Sequence, residues 1–186
     1  DIRSSRFVSL FHPVRTKAQA RIDVRGGFSR GFSKEQSEGE YEATERIRFD
    51  YALDKLEANY EFPQPYKARP DAQGRIRTPW KSLSVPLSGK VLDPLSAVYY
   101  LRGLDLKPGQ NVILPICADR RVWDTPVRVE GVETVELAAL RLKVPCLVLV
   151  PECAFNGPFE RRGPIKLWVH ETTKVPVKLS VENPLG

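Results

Sequence analysis

The stretch IKLWVHETTKVPVKLSV, residues 165–181, decides the fold class. Apolar side chains occupy every second position in Ile165–Val169, and the alternation resumes in Val175–Val181 after a short polar break. A period of two residues is typical of a β-strand with one buried face. Two antiparallel strands are therefore predicted at this end of the chain.

The connection between these two strands sets their register. A three-residue connection, Glu171–Thr173, would place Val169 opposite Val175 and Leu167 opposite Val177. A connection one residue shorter would turn one strand's apolar side chains to the other face of the sheet. We therefore expect the longer connection.

Further strands are predicted upstream. Val127 and Val129 share their parity with Val135 and Leu137, which predicts a single apolar face along one strand. In Leu142–Val150 both parities are apolar, as in a central strand that is covered on both faces. Cys146 is accordingly expected to be buried and unpaired.

The segment Ile47–Phe62 fits two patterns. Phe49, Leu53, Leu56 and Tyr60 have helical spacing, but the segment also alternates with a change of parity in the middle. A hairpin with a tight turn at Leu53 and Asp54 would pair Tyr51 with Leu56, Phe49 with Ala58 and Ile47 with Tyr60. The aromatic and β-branched content favours this hairpin over the helix.

One segment, DPLSAVYYLRG at 93–103, predicts a helix, the only substantial one in the chain. Asp93 can accept hydrogen bonds at the N-cap, and Pro94 suits the first helical position. Gly103 is expected in the left-handed conformation beyond the last turn, where Arg102 complements the partial charge. Four side chains share one face of this helix: Leu95, Val98, Tyr99 and Arg102.

Length and composition predict a single β-rich domain over residues 1–186. The 16 prolines interrupt helices, so we expect an all-β antiparallel meander, strongly curved or barrel-like, with one short α-helix. No run approaches the roughly 18 apolar residues of a transmembrane helix. The net charge of +6 is scattered and no recognition motif accompanies it, so a nucleic-acid partner is not expected.

The helix motif carries a family resemblance. DPLSAVYYLR at 93–102, NVILPI at 111–116, PCLVL at 145–149 and the run KLWVHETTKVPVKL at 166–179 resemble a bacterial family, domain of unknown function number three thousand one hundred and eight. The resemblance implies an exported protein of the Gram-negative envelope, in the periplasm or at the outer-membrane periphery, with its signal peptide removed. It assigns no activity, and it leaves open a truncated carboxyl end.

The sequence offers little for catalysis. His12 and His170 are the only histidines, and no nucleophile elbow or phosphate-binding glycine loop accompanies them. Cys117, Cys146 and Cys153 lack the spacing of a metal site. We therefore expect no enzyme activity, no catalytic residue, no metal and no cofactor.

Aromatic side chains are the candidates for ligand binding. Trp168 lies on the strand face opposite Leu167 and Val169, which predicts one aliphatic and one aromatic face of the sheet. The candidate binding residues are Trp168, Trp123, Tyr99 and Arg102. The leading hypothesis is a non-enzymatic envelope protein that binds a protein partner or an apolar, lipid-like ligand. The alternatives are a scaffold subunit of an envelope assembly and a hydrolase of envelope substrates.

Overall fold

A computed structural model describes residues 2–3, 14–38, 41–52, 55–63, 80–137, 140–153 and 165–181. The chain forms two compact units, Asp1–Lys90 and Val91–Gly186, each with a sheet of its own. The prediction of a single domain over the whole chain stays a prediction.

The first unit is a six-stranded antiparallel sheet in which each strand pairs with the next along the chain. Its strands are β1 (Ile2–Arg3), β2 (Val14–Asp23), β3 (Phe28–Glu38), β4 (Tyr41–Ala52), β5 (Lys55–Pro63) and β6 (Trp80–Pro86). The result is a meander, because successive strands that alternate apolar and polar residues bury one common face.

The hairpin prediction for Ile47–Phe62 is confirmed. β4 and β5 pair with Tyr51 opposite Leu56, Phe49 opposite Ala58 and Ile47 opposite Tyr60. The predicted turn at Leu53 and Asp54 lies outside the described residues. The paired face is the core of this unit, since Ala58 and Tyr60 have no exposed surface at all.

The second unit contains the helix α1 (Pro94–Arg102) and a five-stranded antiparallel sheet. Its strands are β7 (Asn111–Ala118), β8 (Arg121–Leu137), β9 (Leu142–Pro151), β10 (Ile165–His170) and β11 (Pro176–Val181). β9 is the middle strand, and every residue from Cys146 to Val150 is buried. The prediction of a central strand that is covered on both faces is confirmed for this stretch.

The prediction that β8 keeps one parity throughout is wrong. A β-bulge shifts the register between Val129 and Gly131, so that Val129 lies opposite Leu149 whereas Val135 lies opposite Val144. An extra residue in one strand moves every later side chain to the other face. Val135 therefore packs with the cluster of Cys146, Val148, Val150 and Trp168 and not with Val129.

The predicted register of the last hairpin is also wrong. Val169 lies opposite Pro176, and a bulge between Trp168 and Val169 then brings Leu167 opposite Leu179. Without a bulge, pairing Val169 with Pro176 would place Leu167 opposite Lys178, on the wrong face. The bulge adds one residue to β11, so Leu167 lies opposite Leu179 instead. The aliphatic side chains thus still share a face, with different partners.

The helix prediction is confirmed at its beginning. The Asp93 Oδ1 accepts hydrogen bonds from the backbone N–H groups of Leu95 and Ser96, both at 3.0 Å. Just before it, Leu92 forms a parallel bridge with Ile116 on β7. Its N–H donates to the carbonyl of Pro115 at 2.9 Å, and its carbonyl accepts from the N–H of Cys117 at 2.7 Å. The residue that pairs with the sheet, Leu92, is therefore followed directly by the residue that caps the helix, Asp93.

The end of the helix differs from the prediction. Gly103 has φ −83°, in the right-handed region, and its N–H donates to the carbonyl of Tyr100 at 3.0 Å. A tightened last turn thus satisfies the final carbonyls without a left-handed residue. The buried residues of the helix are Ser96, Ala97 and Leu101.

The fold class is confirmed: antiparallel strands dominate, and α1 is the one helix of several turns in the described residues. In that part of the chain neither sheet closes on itself into a barrel. Among the described helices, none has the length and apolar character needed to cross a membrane.

Candidate functional site

The outward face of the six-stranded sheet carries polar side chains in two rows that cross the strands. The first, the Arg21 row, contains Arg21, Gly31, Arg48, Asn59 and Ser84, each directly opposite the next. The second, the Arg46 row, contains Gln19, Ser33, Arg46, Glu61 and Ser82. Directly opposite residues share a face, so both rows lie on the side away from Ile47 and Tyr60.

A groove of about 420 Å³ lies over these two rows. The side chains that give it its chemical character are Gln19, Arg21, Arg46, Arg48, Asn59 and Glu61. All of them can form hydrogen bonds, and four of the six are of a charged residue type. The groove therefore suits a polar or charged group.

Gly31 forms the floor of the groove between two of the arginines. A Cβ atom at Gly31 would lie 2.9 Å from the Arg21 Nη2 and 3.2 Å from the Arg21 Nε. The guanidinium group of Arg21 thus lies over the glycine backbone, in space that any side chain would occupy. A bulge between Arg21 and Ile22 adjoins this point.

The spacing of the three arginines follows from sheet geometry. Arg46 and Arg48 are two residues apart on β4, about 6.8 Å along the strand. Arg21 and Arg48 are separated by the Gly31 strand, which places their backbones about 9.6 Å apart. Because Gly31 has no side chain, the Arg21 guanidinium can extend over Gly31 toward the strand that carries Arg48.

The charges in the groove favour an anion. Its lining contains three arginines and one glutamate, Glu61, so the formal net charge of the groove is +2. Within the part of the chain that the structure describes, neither Arg21 nor Arg48 forms an ion pair. Guanidinium groups bind phosphate and carboxylate oxygens in a bidentate manner, so these two are suited to hold such a group.

The residues that the sequence singled out are elsewhere. Trp168 is buried in the second unit, where its Nε1 donates to the Glu133 Oε2 at 2.8 Å. The Lys178 Nζ lies 4.4 Å from the centroid of the Trp168 ring. Trp168 does lie on the face opposite Leu167, as predicted, but its neighbours there are aliphatic. The predicted aromatic face is therefore wrong.

Trp123 lies on the other face of the same sheet, opposite Ile116. Its Nε1 donates to the carbonyl of Ala118 at 3.0 Å, and the Arg121 guanidinium lies 4.0 Å from its ring centroid. These contacts stabilise the β7–β8 hairpin. The two tryptophans thus do not form one surface.

Tyr99 and Arg102 do come together on α1. The Arg102 guanidinium carbon lies 4.8 Å from the ring centroid of Tyr99, which is 58% exposed. The Arg102 Nε donates to the carbonyl of Lys174 at 2.8 Å and so fastens the helix to the last hairpin. The four candidates therefore occupy three separate places.

The histidines and cysteines do not assemble a centre in the described residues. The His170 Nδ1 accepts from the backbone N–H groups of Thr172 and Thr173, both at 3.1 Å, and so holds the turn. His12 lies outside the described residues. Cys146 is buried and free, as predicted. In the described part, no group of three His, Cys, Asp or Glu side chains could hold a metal ion.

The sequence patterns did not predict the groove, because the residues that line it are far apart in the sequence. The outward alternation of Arg46 and Arg48 with Ile47 and Phe49 was a visible signal. The contribution of Arg21 depends on the β2–β3 and β3–β4 registers, which the sequence did not fix. A pair of arginines two residues apart on a polar face could have been weighed as half of an anion site.

Fold and groove together define a class: an antiparallel two-sheet β protein with a basic groove on its polar sheet face. The chain belongs to the family described as "Protein of unknown function (DUF3108)", which it matches over residues 1–186. Comparison with curated proteins and with solved structures finds no match.

Proposed function

We propose that this protein is a non-enzymatic binding protein of the bacterial envelope, and that its groove holds an anionic group of the ligand. The observation that carries the proposal is the Arg21 guanidinium over Gly31, whose direct neighbour on the next strand is Arg48. The envelope location, in the periplasm or at the outer-membrane periphery, rests on the family resemblance alone.

The chemistry of the groove selects the anion. A phosphate or carboxylate between Arg21 and Arg48 would accept charge-assisted hydrogen bonds from both guanidinium groups. All three arginines are exposed, so solvent and salt screen each contact, and each contributes about 1 kcal/mol. Weak binding that depends on ionic strength is the expected behaviour.

The lipid-like ligand of the sequence hypothesis enters this proposal through its head group. Charged and amide side chains line the groove, so it would hold the anionic end of an amphiphile and leave the acyl chain outside. A phosphate group can come from a lipid head group or from a free anion. Both sources share the same chemistry at Arg21 and Arg48.

Calorimetric titration with three probes tests the proposal. The probes are inorganic phosphate, decyl phosphate and uncharged decyl maltoside, the last two below their micelle concentrations. Binding of both phosphates and no binding of the maltoside is expected. Equal affinity for the two phosphates would indicate a free anion, whereas tighter binding of decyl phosphate would indicate a lipid. Binding of the maltoside alone would overturn the proposal.

Variants of the arginines locate the binding. Arg48→Gln is expected to weaken phosphate binding about fivefold to tenfold. Gly31→Ala should weaken it similarly, because the new methyl group displaces the Arg21 guanidinium. Arg15→Gln is the matched control, since Arg15 is an exposed arginine on the same face of β2, about 20 Å from Arg21. An equal loss in Arg15→Gln would show general attraction and no site.

A further inference from the structure

The hairpin of β8 and β9 extends beyond its neighbours in the five-stranded sheet. In the described residues, β7 pairs with β8 only as far as Arg128, and β10 pairs with β9 only as far as Cys146. β8 and β9 then continue with each other through the last three residue pairs, from Val135 opposite Val144 outward. We call Val135–Leu137 with Leu140–Val144 the β8–β9 arm, which is about 10 Å long.

The arm has an apolar face and a charged face. Leu137 lies opposite Leu142, on the same side as Val135 and Val144, and Glu136 lies opposite Lys143 on the other side. At its root, Val135 and Val144 pack against the buried cluster around Trp168. Toward the tip the apolar face is only partly covered, since Leu142 is 53% exposed and Leu137 is partly exposed.

The tip combines exposed leucines with cations. Leu140 is 65% exposed, and Arg141 and Lys143, which flank Leu142, are exposed as well. The arm carries two cations and one anion, Glu136, so its formal net charge is +1. Arg141 has φ +52°, a left-handed conformation that non-glycine residues seldom adopt outside turns.

We propose that the β8–β9 arm docks on a bilayer that contains anionic phospholipid. Leu140 and Leu142 enter the interfacial region, while Arg141 and Lys143 contact lipid phosphates. Basic side chains beside a small apolar surface are typical of segments that lie in the membrane interface, because their alkyl stems follow the apolar groups and their charges stay at the phosphates. The net positive charge of the arm favours an anionic surface as its partner. The proposal does not rest on the groove of the first unit.

Vesicle co-sedimentation of the full chain tests this proposal. The vesicles contain phosphatidylcholine with about a quarter of phosphatidylglycerol, and vesicles of phosphatidylcholine alone are compared. The chain is expected to bind the anionic vesicles. A Leu140→Ser, Leu142→Ser double variant should bind about tenfold more weakly, because two partly buried leucines are lost from the bilayer. Arg141→Gln should weaken binding about fivefold, with less effect of added salt.

Two controls separate the arm from other surfaces. Ile113→Ser removes an apolar side chain of equal exposure, 65%, from β7 and should leave vesicle binding unchanged. Arg15→Gln removes an exposed arginine of β2 that lies outside the groove, and it should also leave vesicle binding unchanged. Circular dichroism establishes that each variant is folded before it is compared.

Several results would overturn the proposal. These are no sedimentation of the wild-type chain, equal binding to uncharged vesicles, or an equal loss in Ile113→Ser or Arg15→Gln. Concentration-dependent dimerisation that the double variant abolishes, without vesicle binding, would instead assign the arm to contacts between copies of this chain.

Discussion

Asp93 is the residue whose role is most fully determined by its contacts. Its side chain is wholly buried. Oδ1 accepts the two hydrogen bonds from backbone N–H groups described above, and Oδ2 accepts a third from the Ser96 hydroxyl at 2.6 Å. One buried carboxylate thus satisfies two of the free donors at the start of α1. No other element of the described chain begins in this way.

Asp93→Ala is expected to lower the free energy of unfolding by about 1 to 2 kcal/mol. The lost cap leaves the N–H groups of Leu95 and Ser96 without their acceptor. Urea titration followed by circular dichroism measures the change, with Asp105→Ala as a control at an exposed position. An equal loss in both variants would contradict the role of the cap.

The three cysteines should react slowly in the folded protein. Burial raises the pKa of the Cys146 thiol, and it raises the pKa of the Cys153 thiol to about 11. At pH 8 about one Cys153 in a thousand is then a thiolate, against about one in ten at the ordinary pKa of 9.0.

Because the thiolate is the reactive form, Cys153 should react with a disulfide reagent roughly a hundredfold more slowly than a free thiol at pH 8. The rate should rise as the pH approaches the raised pKa. Spectrophotometric titration in denaturant should find three free thiols. A single free thiol would show a disulfide and contradict the structure.

At the scale of elements, turns and bulges decide the registers. The β4–β5 hairpin was predictable because its aromatic residues change parity in the middle, as a tight turn would require, and because its aromatic and β-branched content favours strands over a helix. The bulges between Trp168 and Val169 and between Val129 and Gly131 were not predictable. A bulge adds a residue without changing the apolar and polar composition. Counting alternate positions along the sequence therefore does not reveal where a bulge occurs.

The last hairpin turns through Lys174, which has φ +56°. A β-branched residue is strained in this conformation, whereas glycine is not. Lys174→Gly should therefore be about 1 to 2 kcal/mol more stable than Lys174→Val in urea unfolding. The same two substitutions at Thr172, which lacks a positive φ, provide the comparison. A valine variant as stable as the glycine variant at Lys174 would argue against this turn geometry.

At the scale of the whole molecule, the class was predictable and the groove was not. Local alternation and a single capped helix are sufficient to predict an antiparallel meander. The groove instead needs Arg21, Gly31 and Arg48 to meet across three strands, and that depends on two registers and a bulge. The sequence hypothesis relied on aromatic residues, but Trp168 packs in a buried cluster and Trp123 makes contacts within the β7–β8 hairpin.

The prediction of one domain requires cooperative unfolding of the whole chain. In a Trp80→Phe variant, fluorescence comes from Trp123 and Trp168 of the second unit, while circular dichroism follows the strands of both units. The two probes should report the same urea midpoint. Separate midpoints would show that Asp1–Lys90 and Val91–Gly186 unfold independently and that the prediction is wrong.

The bridge at Leu92 predicts that one amide of β7 and two amides of α1 become accessible to solvent in the same opening motion. The N–H of Cys117 is held by the carbonyl of Leu92, and the N–H groups of Leu95 and Ser96 are held by the very next residue, Asp93. If this short segment lifts, all three amides reach solvent together. They should therefore exchange their hydrogens for deuterium with one common opening free energy, although one belongs to a strand and two to a helix.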